Sequence, residues 1–183
     1  GFAGRSGRLV RLIYFAPVYW KSYRQRSHFM IQYFLEQGGE RVLWVDPYPS
    51  RFPRLADWRR RKEGLHDQNT LADARVEVRS IEALPIEPLP GGAAVNYSLF
   101  WRKRLAQLQR FAQAGPCTVG VGRPSRFAAL ALEVLPRDGS FFDAMDDFPE
   151  FYDGLARRRM AAVEASICQG VQTILASSTY LET

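Results

Sequence analysis

Leu9-Val-Arg-Leu-Ile-Tyr-Phe15 is the stretch that decides the fold. Leucine, valine, isoleucine and aromatic residues follow one another with little polar alternation, the pattern of a strand covered on both faces. Such a strand belongs in the middle of a parallel sheet. Downstream, Ser22 and Gln25 match a capping box, and Phe29, Met30, Tyr33 and Phe34 recur at helical spacing, so a helix is expected from about Tyr23 to Gln37. Gly38 and Gly39 can adopt the left-handed conformation that ends it, and Arg41 to Val45 is a second apolar strand closing at Asp46 and Pro47.

The same alternation continues along the chain. A loop with a short irregular helix around Leu55 to Lys62 leads to a third, outer strand at Arg75 to Ser80, where Val76 and Val78 alternate with charges. After a Pro- and Gly-rich linker, Asn96 is expected to cap a helix carrying Leu99, Leu105, Leu108 and Phe111, stopped by Gly115 and Pro116. A strand at Cys117 to Val121, a buried helix at Ala128 to Leu135 opened by Pro124 or Ser125, and a strand at Ser140 to Ala144 follow. Pro149 is expected to start a further helix with Met160, Ala161, Val163 and Ile167 inward, before a last strand at Gln172 to Ala176. Strands and helices alternating in this way predict an α/β fold, a Rossmann-like parallel sheet of about six strands with helices on both faces and right-handed crossovers.

Composition agrees with one domain over residues 9–183. The chain has 183 residues, 46% hydrophobic and 24% charged, with 12 Phe, 8 Tyr and 4 Trp, too apolar and aromatic for a disordered segment. Residues 1–8 lack an initiator Met and alternate small and basic residues, so they are expected to be disordered or an artificial remnant. Cys117 and Cys168 lie far apart in apolar stretches, and His28 and His66 have no partner at ligand spacing, so neither a disulfide framework nor a metal centre is expected. No apolar run approaches the roughly 20 residues that span a bilayer, so insertion in a membrane is not expected, and the two separated cysteines make a reducing, cytoplasmic compartment the expectation. The net charge of +6 gathers at Arg59 to Lys62, Arg102 to Arg104 and Arg157 to Arg159, a surface for phosphate, anionic lipid or nucleic acid, or simply solvated helix faces.

In an open α/β sheet, ligands sit beyond the carboxyl ends of the strands. The first such loop, Ala16-Pro17-Val18-Tyr19-Trp20, has no glycine, which disfavours NAD or FAD. Gly120-Val-Gly122-Arg123-Pro124 has glycines between strand and helix but no third glycine and no Walker lysine, a weak phosphate signature. The densest chemistry is Asp143-Ala-Met-Asp146-Asp147-Phe-Pro149, with three carboxylates at a strand end just before a helix. Asp146 or Asp147 can cap that helix, but only one can, so the other is a candidate to accept a proton from a hydroxyl nucleophile. Tyr19, Trp20 and Tyr23 are candidates to stack on a sugar or lipid acceptor, and His28 is a secondary candidate contact, although each has a plain packing role open to it.

Tyr14-Phe-Ala-Pro17, the helix with Gln25-Arg-Ser-His28, Arg41 to Pro47 as RVLWVDP, and Asp143 to Pro149 with Tyr152 and Arg157 to Arg159 together resemble the amino-terminal domain of bacterial GT-B glycosyltransferases of capsule, exopolysaccharide or teichuronic acid assembly. The likeness spans most of Leu9 to Thr183. It implies one half of a GT-B fold, with a sugar or polyprenyl-linked acceptor held here and the nucleotide-sugar held by a carboxyl-terminal domain beyond Thr183. It also implies that this piece is inactive alone and that neither metal nor other cofactor is needed. Asp146 and Asp147 would be the candidate catalytic bases, with Tyr19, Trp20, His28, Gly122, Arg123 and Asp143 binding substrate. Trp58 with Arg59 to Lys62 and Trp101 with Arg102 to Arg104 would suit peripheral contact with an anionic inner-membrane leaflet. The rival readings are a non-catalytic α/β regulatory or nucleic-acid-binding module, and a receiver domain, whose acidic pair belongs after the first strand rather than the fifth.

Overall fold

The computed structural model describes residues 9–48, 73–87, 89–145, 148–151 and 154–176. Its centre is one six-stranded sheet of β1 (Arg11–Phe15), β2 (Arg41–Val45), β3 (Val76–Arg79), β4 (Cys117–Val121), β5 (Phe141–Ala144) and β6 (Thr173–Ala176). The order is β3-β2-β1-β4-β5-β6 with every pairing parallel, so the expected Rossmann-like α/β architecture is present. β1 stands in the middle, as its unbroken apolar run requires. Its side chains alternate, Leu12 and Tyr14 to one face, Ile13 and Phe15 to the other. Order reverses between β1 and β4, which makes the carboxyl ends of these two strands the topological switch point.

Helix α1 (Arg26–Glu36) covers the first face with Ile31 and Leu35, against Leu12, Tyr14, Val42 and Trp44. Gly38, at φ +91, takes the left-handed turn that ends it. On the second face pack α3 (Arg102–Gln113), α4 (Arg126–Val134) and α5 (Gly154–Gly170), with Leu105, Leu108, Phe127, Leu132 and Ile167 in the core. A short α2 (Gly92–Asn96) and a π-helical turn (Tyr97–Trp101) lead into α3, and a 3-10 turn (Phe148–Phe151) precedes α5.

Four expectations are corrected. The cap of α1 is Gln25, not Ser22. Asn96 is not a cap: it is buried in the helical run and its amide pairs with both Leu84 N–H (2.8 Å) and Leu84 C=O (3.1 Å), tying the preceding loop down. Pro149 lies in a 3-10 turn (Phe148–Phe151) rather than at the start of the α-helix, which spans Gly154–Gly170, and Ala161 on it is exposed while Met160 and Ile167 are buried. Trp101 is 0% exposed and packs on Tyr48 and Phe127, so it cannot meet a membrane. The expected helix at Leu55 to Lys62, with Trp58, lies outside the described residues.

Candidate functional site

At the switch point, the side chains of four segments meet around the amino terminus of α4. Its first backbone donors are all taken by the protein itself. Glu87 Oε1 accepts from Arg126 N–H (3.3 Å), Tyr48 Oη from Phe127 N–H (3.2 Å), and Ser125 Oγ from Ala128 N–H (3.1 Å). Tyr48 Oη in turn donates to Glu87 Oε2 (2.8 Å). A carboxylate from Glu87 thus occupies the seat that a helix amino terminus elsewhere offers to phosphate. Burial raises the proton affinity of Glu87, and the hydrogen bonds from Tyr48 and Arg126 N–H oppose it. Arg123 lines the adjoining cleft with Phe15, Asp46 and Tyr48; the enclosed part, about 20 Å³, takes about one water molecule.

The two glycines of Gly120-Val-Gly122 have a packing reason. Gly120 lies between Tyr14 and Phe141 in the register, and a Cβ there would overlap Cζ of Phe141 and lie 2.8 Å from Cδ2 of Tyr14. At Gly122 a Cβ would overlap Tyr14 Oη and lie 2.9 Å from Cδ of Pro17. The glycines let Tyr14 cross β4 to stack on Phe141, at 6.4 Å between ring centroids. This replaces the phosphate reading of the motif, and Gly122, which is buried, is a spacer rather than a substrate contact.

His28 is also corrected from substrate contact to structural cap. It is 0% exposed, Nδ1 accepts from Gln25 N–H (3.1 Å), and Nε2 lies 3.1 Å from Trp20 C=O, which fixes the neutral tautomer with the proton on Nε2. Trp20 meets His28 at a tilt (5.4 Å between ring centroids) and Trp44 edge-on (5.0 Å), and its backbone N–H donates to Asp46 Oδ1 (2.9 Å), which also accepts from Trp44 Nε1 (3.0 Å). Trp20 and Asp46 therefore fasten the first βα loop, leaving Tyr19 exposed on it. Burial lowers the proton affinity of His28 below its ordinary 6.5. The unfolded chain then binds the proton first, so stability falls as pH drops through about 6.5 toward the lower folded value. Replacing His28 with Gln removes this acid-side slope in pH-dependent unfolding and, through the lost cap, costs about 1 kcal/mol at pH 7.

The cluster that sequence reading only half located lies on the α1 face. Asp143, 0% exposed on β5, accepts from Arg26 Nη2 through Oδ1 (2.8 Å), and Arg26 is half-exposed at the first position of α1. Asp143 Oδ2, Tyr14 Oη and Ser27 Oγ are buried with no hydrogen-bond partner among the described residues. Tyr14 Oη rests against Gly122, the residue after Val121, whose register partner Phe142 precedes Asp143. Burial raises the proton affinity of Tyr14, the charge of Asp143 adds to that, and Arg26 opposes it. Asp143 is itself held above the ordinary carboxylate range by burial, which Arg26 only partly offsets. Tyr14, Arg26 and Ser27 were missed as site residues. The available signal was Arg26 itself, a cation against the positive end of a helix dipole with no acid in that first turn, an unfavourable placement that a carboxylate from elsewhere offsets.

The expected residues thus divide. Asp143 pairs with Arg26 and acts on Tyr14, with Ser27 the residue after Arg26 on α1; Arg123 lines the cleft by α4; Tyr19 is on the surface; His28 and Gly122 are buried, and Trp20 packs on His28 and Trp44. Asp146 and Asp147 lie outside the described residues. Among the described residues no three of His, Cys, Asp and Glu are grouped to hold a metal, and no helix is long and apolar enough to cross a membrane.

No family model matches the chain, and no curated protein does. A crystal structure of a protein from Thermotoga maritima, a structural-genomics target, superposes with a TM-score of 0.34 at 10% identity, covering 92% of this chain and 46% of that one. This chain therefore spans less than half the length of that protein. The strand order of this chain shows a Rossmann-like, all-parallel α/β sheet.

Proposed function

We propose that this chain is the acceptor-side domain of a glycosyltransferase that moves a sugar from a nucleotide-sugar to a polysaccharide or lipid-linked acceptor, one half of a GT-B enzyme. The observation that carries the reading is the closure of the α4 amino terminus by Glu87, Tyr48 and Ser125. A carboxylate in that seat repels a diphosphate, so the nucleotide belongs to another lobe and this edge is left for a hydroxyl-bearing partner. In the reaction the acceptor oxygen bonds to the anomeric carbon as the bond to the diphosphate breaks. The hydroxyl proton passes to Asp146 or Asp147, and the nucleoside diphosphate leaves.

Titrating the chain with uridine diphosphate and following backbone amide shifts tests this. The reading expects no shifts around Arg123 to Ala128; saturable shifts there would overturn it. In the full-length enzyme, Asp146→Asn or Asp147→Asn should abolish transfer, one of them with an unchanged unfolding midpoint.

Peripheral membrane contact is part of the proposal, with a different surface from the one expected at Trp101. Leu89, Val95, Tyr97 and Leu99 are exposed beside the exposed Arg102 and Lys103. Cosedimentation with phosphatidylglycerol vesicles at low salt is expected, and Leu99→Asp together with Lys103→Glu should reduce it at least threefold; equal recovery with neutral phosphatidylcholine vesicles would count against it.

A further inference from the structure

We propose that Tyr14 Oη, Ser27 Oγ and Asp143 Oδ2 form a subsite for a neutral ligand hydroxyl, with Arg26 as its cover. This deepens the acceptor reading and rests on it for the identity of the ligand as a sugar. Three polar atoms from β1, α1 and β5 are buried without a partner among the described residues, and a buried polar group left unpaired costs about 1–3 kcal/mol. Tyr14 and Asp143 lie near enough for the carboxylate to act on the phenol, Arg26 ties Asp143 to α1 one residue before Ser27, and a guest that completes their bonding accounts for all three. Tyr14 and Ser27 bring hydroxyls that can donate, and Asp143 brings an acceptor. A hydroxyl, which accepts one bond and donates another, suits that set, whereas a phosphate meets the Asp143 carboxylate at close range.

Tyr14 Oη lies against Gly122. Arg26, half-exposed at the first position of α1 and bonded to Asp143 Oδ1 (2.8 Å), is the cover that a ligand bonded to Asp143 would displace.

The experiment is an amide-shift titration of the chain with methyl glycosides of glucose, galactose, mannose and N-acetylglucosamine, with inorganic phosphate as the anionic comparison. At least one glycoside should move the signals of Tyr14 to Pro17, Arg26 to His28 and Asp143 to Met145 together, and phosphate should not. Tyr14→Phe and Ser27→Ala, each checked for an unchanged unfolding midpoint, should weaken that glycoside at least fivefold. Should either variant fail to fold, Asp143→Asn serves in its place, with the same weakening expected. No glycoside response, a response that phosphate competes away, or an ordered water bonded to all three atoms that the glycosides do not displace would each overturn the subsite. In the full-length enzyme, transfer whose acceptor KM is untouched by Tyr14→Phe and Ser27→Ala defeats the subsite and leaves the transferase reading standing. Glycoside binding here without any sugar transfer does the reverse.

Discussion

Gly120→Ala is expected to lower the unfolding midpoint by roughly 6–12 °C, the equivalent of about 3 kcal/mol in a domain of this size. Gly120 sits within a strand that is hydrogen-bonded on both sides, between two buried aromatic rings. The added methyl group overlaps Cζ of Phe141 and presses Cδ2 of Tyr14, and neither ring has empty space to retreat into, since both are packed in the cluster under α1. Phe141→Leu in the same chain should recover part of the loss, because it removes the overlapping atom; additivity of the two substitutions would show that the rings are not the cause. Thermal unfolding followed by near-UV circular dichroism reads both.

Tyr48→Phe is expected to cost about 3 kcal/mol at pH 7. The deleted oxygen holds Glu87 and the amide of Phe127 at once, so its removal leaves a buried carboxylate short of a donor and a buried N–H without an acceptor. The pH dependence follows from Glu87. Its folded proton affinity is already raised by burial, and the lost bond from Tyr48 raises it further. The penalty is therefore largest well above the ordinary glutamate value, where folding must carry the ionised group, and shrinks in acid, where Glu87 is protonated in both states. A penalty that grows in acid would mean that the node does not depend on that carboxylate. Glu87→Gln combined with Tyr48→Phe should flatten the dependence.

Much of the fold is written locally in the chain. The unbroken apolar runs at β1 and β2, the alternation at β3, and the helix between Gln25 and Gly38 each state their own structure within about a dozen residues, and the parallel order follows from their alternation. The errors arose where a residue's reason lies far away in sequence. Asn96 reads as a cap because the loop it ties down, at Leu84, leaves no pattern. The glycines at Gly120 and Gly122 read as a phosphate loop because the tyrosine that needs their space is more than a hundred positions earlier. Asp143 was legible as polar chemistry at a strand end, but its partner Arg26 is 117 positions away, and Tyr14 looks like one more core aromatic until its hydroxyl is found beside Gly122.

On the proposed subsite, Asp143 is kept buried and under-bonded for a ligand, at a cost to the fold. Comparing the unfolding midpoints of the chain and its Asp143→Asn variant from pH 4 to pH 8 tests it most directly. Burial holds the Asp143 proton affinity above its unfolded value, so the ionised side chain destabilises the fold increasingly as pH rises through the folded value. A higher midpoint is expected for Asp143→Asn at pH 7, with the gap closing toward pH 4. A lower midpoint at pH 7 would instead make the Arg26–Asp143 pair a stabilising strut and overturn the subsite.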